Sequence, residues 1–369
     1  PFGFDWEDWG RLHAMEVMDI AQAEFGTDPR RVYLTGHSMG GHGVWRLASL
    51  YPDRFAAAGP SAGWIDFWSY GGAAWYDTPD SIESVLNTAH GLSRTLALRD
   101  NLLGLPVYIL HGEADTNVPV GQARRMHTLL QPDHPRLEYH EQPGAGHWWG
   151  TQCVDWPPMF EFFAESQTPS PGRTRLDFTT PTPAVSADHR WVSVLRQARS
   201  LHPSRVSATA DPEARRVALN TENVLGMAVR LDGLAEANGL GAGEPWQITL
   251  DGAVIAKDAS GEVMIEGGRV VRSLSPGKRP DRAGPLKAAW TNRPLLVVGT
   301  LGNPSERRWA LQKARFDAET FWYRGNGRLP IMLDTEFDPA AHPDRNIVLY
   351  GNSETNSAWD ALIDGEVRL

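Results

Sequence analysis

The stretch that most limits what this chain can fold into is Val32-Tyr33-Leu34-Thr35-Gly36-His37-Ser38-Met39-Gly40-Gly41. An apolar run enters a glycine-rich turn with one serine at its apex, and a helical pattern follows. Gly36-His37-Ser38-Met39-Gly40 fits G-x-S-x-G, the nucleophile elbow, whose flanking glycines leave room for a strained strand-to-helix turn. Arg31 to Thr35 supplies the strand and Val44 to Leu50 the helix. A parallel sheet with helices is therefore expected around Ser38.

The rest of the N-terminal half alternates in the same way. Phe2 to Gly10 reads as an aromatic, acidic loop, and Arg11 to Phe25 carries apolar residues at helical spacing closed by Gly26. Phe55 to Pro60, Leu105 to Leu110 and Leu137 to His140 read as strands, the second apolar throughout as strands covered on both faces tend to be. Helices are expected from Pro119 to Leu130, from Trp156 to Ala164 and over part of Ser81 to Arg99. Strands alternating with helices give a parallel sheet whose functional loops lie at the strands' carboxyl ends.

Beyond Ala164 the texture changes. Gln167 to Pro183, rich in Thr, Pro and Ser, reads as a linker. Six short segments between Trp191 and Ile265, several alternating polar and apolar, predict an antiparallel β module. From Arg293 helix-strand alternation returns, and Asn303-Pro304-Ser305-Glu306 has the cap, proline and reciprocal glutamate of a helix start. The expected division is an α/β catalytic domain over 1–166, a linker over 167–183, a β module over 184–290 and a small α/β segment over 291–369. Gly299-Thr300-Leu301-Gly302-Asn303 admits two readings, a structural turn or a cradle for an anion at the helix N-terminus.

Composition narrows the partners. The net charge of -10 argues against nucleic acid or an anionic membrane surface and favours a small-molecule or neutral polymer substrate. The single cysteine, Cys153, excludes an intrachain disulfide and a thiolate metal cluster. No run reaches the roughly 18 to 20 apolar residues of a membrane span. The start at Pro1, with neither initiator Met nor leader, reads as a processed product or one whose natural beginning is absent; the compartment stays open.

A serine hydroxyl is a poor nucleophile until an imidazole removes its proton, and the imidazole needs a carboxylate to fix its tautomer. Asp115 follows the strand Leu105 to Leu110, and His147 follows the strand that ends at His140. Ser38, Asp115 and His147 stand in the order expected for this architecture, with whole strand-helix units between them. Glu113 is the rival acid, with a loop hydrogen bond as its other reading. His37 and His42 flank the elbow, where each can touch substrate or serve as a packed or capping group. His111 begins the acid loop, where its ring is expected to hydrogen-bond backbone; together with His140 these histidines form no spaced metal cluster, and no metal or cofactor is expected.

Gly36-His37-Ser38-Met39-Gly40-Gly41, His111-Gly112-Glu113-Ala114-Asp115-Thr116-Asn117-Val118-Pro119 and Gly144-Ala145-Gly146-His147 resemble the catalytic blocks of α/β-hydrolases related to prolyl oligopeptidase, feruloyl esterases and polyhydroxybutyrate depolymerases. The resemblance covers about residues 1 to 165. It implies Ser38 as nucleophile, His147 as general base and acid, Asp115 as orienting carboxylate, and the backbone N–H of Met39 as an oxyanion donor. In such relatives several strands and a loop bearing a second oxyanion donor precede the elbow, whereas here Ser38 has only a loop, a helix and its own strand before it. A missing N-terminal segment or a second chain is expected to complete the sheet.

The 15 tryptophans crowd near these motifs. Ser61 to Tyr76 falls where such hydrolases build substrate walls, and Trp148-Trp149 follows the histidine. Trp68, Trp75 and Trp148 are candidates for contact with sugar rings, aryl groups or proline, with core packing as the other reading. The functional expectation is a serine hydrolase forming an acyl-enzyme, with carboxylic esters as substrates. A prolyl oligopeptidase-like peptidase and an inactive, glycan-binding fragment are the alternatives.

Overall fold

A computed structural model describes residues 5–71, 74–284 and 286–363. Phe2 to Phe4, within the stretch read as an aromatic loop, lie outside the described residues. By contact the chain forms two compact units, Asp19–Gly284 and Pro1–Met18 with Pro285–Leu369. Helix α1 (Asp8–Phe25) starts three residues before the expected Arg11.

In the larger unit, β1 (Tyr33–His37), β2 (Ala57–Ser61), β3 (Val107–Gly112) and β4 (Leu137–Gln142) form a parallel sheet in spatial order β1-β2-β3-β4. Spatial order equals chain order, so each crossover steps the same way and all carboxyl ends share one edge. β2 and β3 are buried along their whole length, as the apolar run Leu105 to Leu110 predicts for β3. Helix α2 (Met39–Leu50) packs on β1 and β2 and is buried from Gly41 to Leu50. The helix Pro157–Ala164 lays Met159, Phe162 and Phe163 against Ala57 and Tyr108.

Helix α2 begins immediately after Ser38 and runs through Gly40, Gly41 and Gly43, although glycine is a poor helix former. Close packing overrides propensity here. A Cβ on Gly41 would lie 2.4 Å from the Ser61 carbonyl oxygen and 2.7 Å from Gly63 Cα. Gly41→Ala is therefore expected to lower stability by about 3 kcal/mol, since backbone faces it from both sides. Gly40→Ala meets nothing within 4 Å and should hold or raise stability. Thermal unfolding of the two variants checks the contrast.

The aromatic loop is more ordered than its sequence suggests. It holds a short helix, Phe67–Tyr70, capped by Asp66 and Ser69. Gln122 ties it to the helix Gly121–Leu130: its Nε2–H donates to the Ser69 carbonyl, and its Oε1 accepts from Ile65 N–H and Ser69 Oγ–H.

The stretch read as a linker is corrected by β5 (Arg175–Thr180), which buries Leu176 and Phe178. Its short apolar alternation is masked in sequence by the Thr and Pro around it. There follow β6 (Asp188–His189), β7 (Val192–Gln197), β8 (Ser204–Asp211), β9 (Arg216–Glu222), β10 (Val224–Arg230), β11 (Trp246–Leu250), β12 (Ala253–Ala259), β13 (Glu262–Glu266) and β14 (Arg269–Val271). They make two five-stranded sheets, β14-β13-β10-β7-β6 and β12-β11-β9-β8-β5. Val194, Val229 and Ile265 of the first share one core with Phe178, Leu219 and Trp246 of the second. The pairing is antiparallel as expected except between β9 and β11, which run parallel because the chain visits the other sheet, as β10, between them. Tyr51 Oη–H donating to the Val185 carbonyl, and Asn101 Nδ2–H donating to the Ser49 and Thr179 carbonyls, tie this module to the parallel sheet.

In the smaller unit β15 (Leu295–Val298), β16 (Ile331–Leu333) and β17 (Ile347–Tyr350) form a parallel sheet in order β16-β15-β17. The helix Pro304–Gly325 packs Ala310 and Ala314 against Leu296 and Val298. Its predicted capping box is present: Asn303 Oδ1 accepts from Ser305 and Glu306 N–H, while Glu306 Oε2 accepts from Asn303 N–H. Thr300 N–H donates to Asp334 and Leu301 N–H to the Thr355 carbonyl. The N–H groups of Thr300, Leu301 and Asn303 are thus taken by the protein itself, as in a structural turn.

Candidate active site

Ser38 sits between β1 and α2 at φ 58° and ψ -116°, a backbone region that costs a non-glycine residue of order 1 to 3 kcal/mol. Gly36 permits it: a Cβ there would lie 2.5 Å from the carbonyl carbon and oxygen of Gly40, so the first and last glycines of the motif touch. Ser38 N–H donates to the Ser61 carbonyl at 2.9 Å, which anchors the apex to the end of β2. Met39, the first residue of α2, has its side chain exposed.

Asp115 stands just beyond β3 and its carboxylate is fully buried. One oxygen, Oδ1, accepts from the N–H groups of Asn117 and Val118 at 2.8 and 2.9 Å. The other, Oδ2, accepts from His147 Nδ1 at 2.7 Å. Because a carboxylate only accepts, the proton of neutral His147 is on Nδ1 and its Nε2 is left as a base. Gly112 brings the two loops together, since a Cβ there would lie 2.3 Å from the Gly146 carbonyl oxygen. Ser38 Oγ makes no hydrogen bond among the described residues, so the structure joins His147 to Asp115 but does not join the serine to the imidazole. Glu113 is exposed and accepts from Gly144 N–H at 2.8 Å; it braces the histidine loop and does not reach the ring.

Two further histidines, His111 and His37, lie beside the pair. His111 is buried; its Nε2–H donates to the Val118 carbonyl at 2.8 Å and lies 3.3 Å from Asp115 Oδ2. Burial pushes its basicity down, so it sits beside the carboxylate as a neutral donor. His37 lies with its ring 4.8 Å from that of His147 and 4.1 Å from that of Trp148. Ser61 Oγ–H donates to the Cys153 carbonyl, so its oxygen accepts from His37 Nδ1–H at 3.3 Å. Burial, with the neighbouring His147 adding to it, pushes the His37 pKa down to about 4. His37 therefore stays neutral near pH 7 and adds no positive charge beside the candidate base. His42 is a packing residue, donating from Nδ1 to the Trp64 carbonyl and stacked on Trp64. His140 stacks on Trp156, away from this group. Among the described residues no group of three or more metal-ligating side chains is assembled.

Residues 4–166 match the model of the prolyl oligopeptidase family. The match falls on the segment that carries the three sequence blocks and the four-stranded parallel sheet. An uncharacterized secreted protein of Arthroderma benhamiae is 35% identical over 156 residues, which are 40% of this chain and 17% of that protein. A thermostable esterase of known structure is 22% identical, with 44% of this chain and 38% of that one covered at a TM-score of 0.32. The Pyrococcus horikoshii acylaminoacyl peptidase is 18% identical, with 41% and 26% covered at a TM-score of 0.32.

Around the candidate site the aromatic candidates part company. Trp148 is 68% exposed beside His37 and His147. Trp68 and Trp75 contact each other edge to face, with His90 on Trp68 and the Arg94 guanidinium 3.9 Å from the Trp75 ring centre. Neither ring contacts His147 or His37, so the structure groups them as packing partners. The sequence reading missed Gln122 and Tyr70, whose hydroxyl donates to the Asn117 carbonyl and so fastens the aromatic loop to the acid loop. No local motif announces either residue. His111, four residues before Asp115, was legible as a member of the acid block but not as a neighbour of its carboxylate.

Proposed function

We propose that this chain hydrolyses carboxylic esters through an acyl-enzyme on Ser38. The observation that carries the reading is the 2.7 Å hydrogen bond from His147 Nδ1 to a buried Asp115 carboxylate, on the sheet edge that holds Ser38 in a strained elbow. His147 Nε2 takes the hydroxyl proton as Ser38 Oγ bonds to the carbonyl carbon. The Met39 N–H stabilises the oxyanion. Collapse breaks the bond to the leaving alkoxide, which receives the proton from His147; water then repeats the cycle and releases the acid. Trp148 and His37 flank the acyl or leaving group.

β1, the strand that delivers the serine, is an edge strand of the described sheet. We propose that a further polypeptide segment, of the same protein or of a second chain, pairs with it and brings the second oxyanion donor. One donor of this kind is worth about 2.7 to 4 kcal/mol of transition-state stabilisation. The partners are otherwise a small-molecule or polymer ester, without nucleic acid; among the described residues no helix is long and apolar enough to cross a membrane. A peptidase reading has the family description in its favour. Turnover of p-nitrophenyl acetate and a feruloyl ester is expected to exceed that of a proline-linked peptide. Faster cleavage of the peptide reverses the order of the two readings.

A further inference from the structure

Away from the serine elbow, a cavity of about 590 Å³ opens between the parallel-sheet region and the β module, both within the unit Asp19–Gly284. Five arginines line it: Arg99, Arg173, Arg175, Arg190 and Arg205. Their concentration in one place runs against the chain's net charge of -10. Asp100, Asp133 and Asp177 also line it, so the question is which cations remain uncompensated.

The rim arginines are the compensated ones. Arg99 and Arg205 lie 3.5 and 3.6 Å from Asp100, and Arg205 and Arg175 lie 3.7 and 3.9 Å from Asp177. Their side chains are 39%, 46% and 80% exposed for Arg99, Arg205 and Arg175, where water screens each charge. Arg190 differs, with its side chain only 3% exposed. It lies 3.3 Å from Asp53 and donates from Nη1 to the Pro169 and Ser170 carbonyls, yet its Nε–H is buried with no partner. Asp53 also serves His189, 3.1 Å away. Arg173 has no carboxylate within ion-pair distance among the described residues, and its guanidinium is close against Gly104, where a Cβ would lie 2.6 Å from Nη1.

The two guanidiniums feel each other. Burial lowers the basicity of Arg190, Asp53 opposes the effect, and the positive charge of Arg173 adds to it. His134 is depressed chiefly by burial and further by the same Arg173. Arg173 therefore brings a positive charge, with no carboxylate within ion-pair distance among the described residues, to the lining of a cavity large enough for a small metabolite, beside an Arg190 whose carboxylate is shared with His189. Guanidinium forks match planar and tetrahedral oxyanions geometrically.

We propose that this cavity is a binding site for a small ligand bearing a phosphate, sulfate or carboxylate group, held between Arg173 and Arg190. Such an anion supplies the counter-charge that Arg173 lacks. The site is built jointly by the parallel-sheet region and the β module, so its ligand also stabilises their junction.

The test uses the whole chain and three probes, inorganic phosphate, sulfate and citrate, titrated by calorimetry and thermal unfolding against chloride at equal ionic strength. Saturable binding of at least one probe with a rise in melting temperature is expected, and the three arms show which oxyanion chemistry the site prefers. Arg173→Gln should weaken that binding about tenfold or more, the loss of a charge-assisted contact. It should also raise the melting temperature in chloride alone by removing the repulsion from Arg190. Arg173→Lys should recover part of the affinity, and Arg30→Gln, an exposed cation elsewhere, should leave binding unchanged. Saturation by none of the probes overturns the proposal, as does equal binding by the wild type and Arg173→Gln.

Discussion

Replacing Ser38 by alanine is expected to end labelling by a fluorophosphonate probe and to lower ester turnover by about 10⁴-fold or more, while leaving the fold in place. The size of the effect follows from what Ser38 does that no neighbour can. Its Oγ is the atom that forms the covalent bond, and the described surroundings of the elbow offer glycine, His37 and Met39, none of which can replace it. The structural cost is small for a physical reason. The strain at φ 58° resides in the backbone, which alanine must adopt as well, and the backbone N–H that holds the apex to Ser61 is retained. Melting temperature should therefore change little while activity collapses. Undiminished labelling of Ser38→Ala would place the reactive group elsewhere, and an unlabelled wild type would favour the binding-protein reading.

The parallel sheet was legible because long-range order and local pattern agree in it. β3 continues a short apolar run that starts at Leu105, and the covered sheet buries it together with β2. The helix cap at Asn303 was legible for the same reason, since its whole geometry lies within four residues. What escaped was set by distant contacts. β5 hides two buried side chains among prolines and threonines. The parallel step from β9 to β11 depends on which sheet β10 joins, a tertiary choice with no local signal. At the site, motif blocks gave Ser38, Asp115 and His147, whereas the separate packing of Trp68 with Trp75 and the exposed place of Trp148 depend on how the aromatic loop folds back.

The second large effect separates the two acidic candidates. Asp115→Asn is expected to lower kcat by about 10⁴-fold with KM little changed, whereas Glu113→Gln should stay within a few-fold of wild type. Which atom faces the imidazole decides the effect. The introduced amide would keep its carbonyl oxygen on the two backbone N–H groups of Asn117 and Val118, which are fixed by the turn. Its NH₂ would then face His147 Nδ1 and require that nitrogen to accept. The ring proton moves to Nε2, and the nitrogen meant to take the serine proton already carries one. Burial sharpens the effect, because the Asp115 carboxylate is 0% exposed and the imidazolium formed in each cycle loses its directly bonded counter-charge. Glu113 offers no comparable leverage: a glutamine oxygen still accepts from Gly144 N–H, and neither oxygen of Glu113 touches the ring. Rates of both variants over a pH series, beside their melting temperatures, decide the matter. A Glu113→Gln loss as deep as that expected for Asp115→Asn, with Asp115→Asn nearly active, would exchange the two roles.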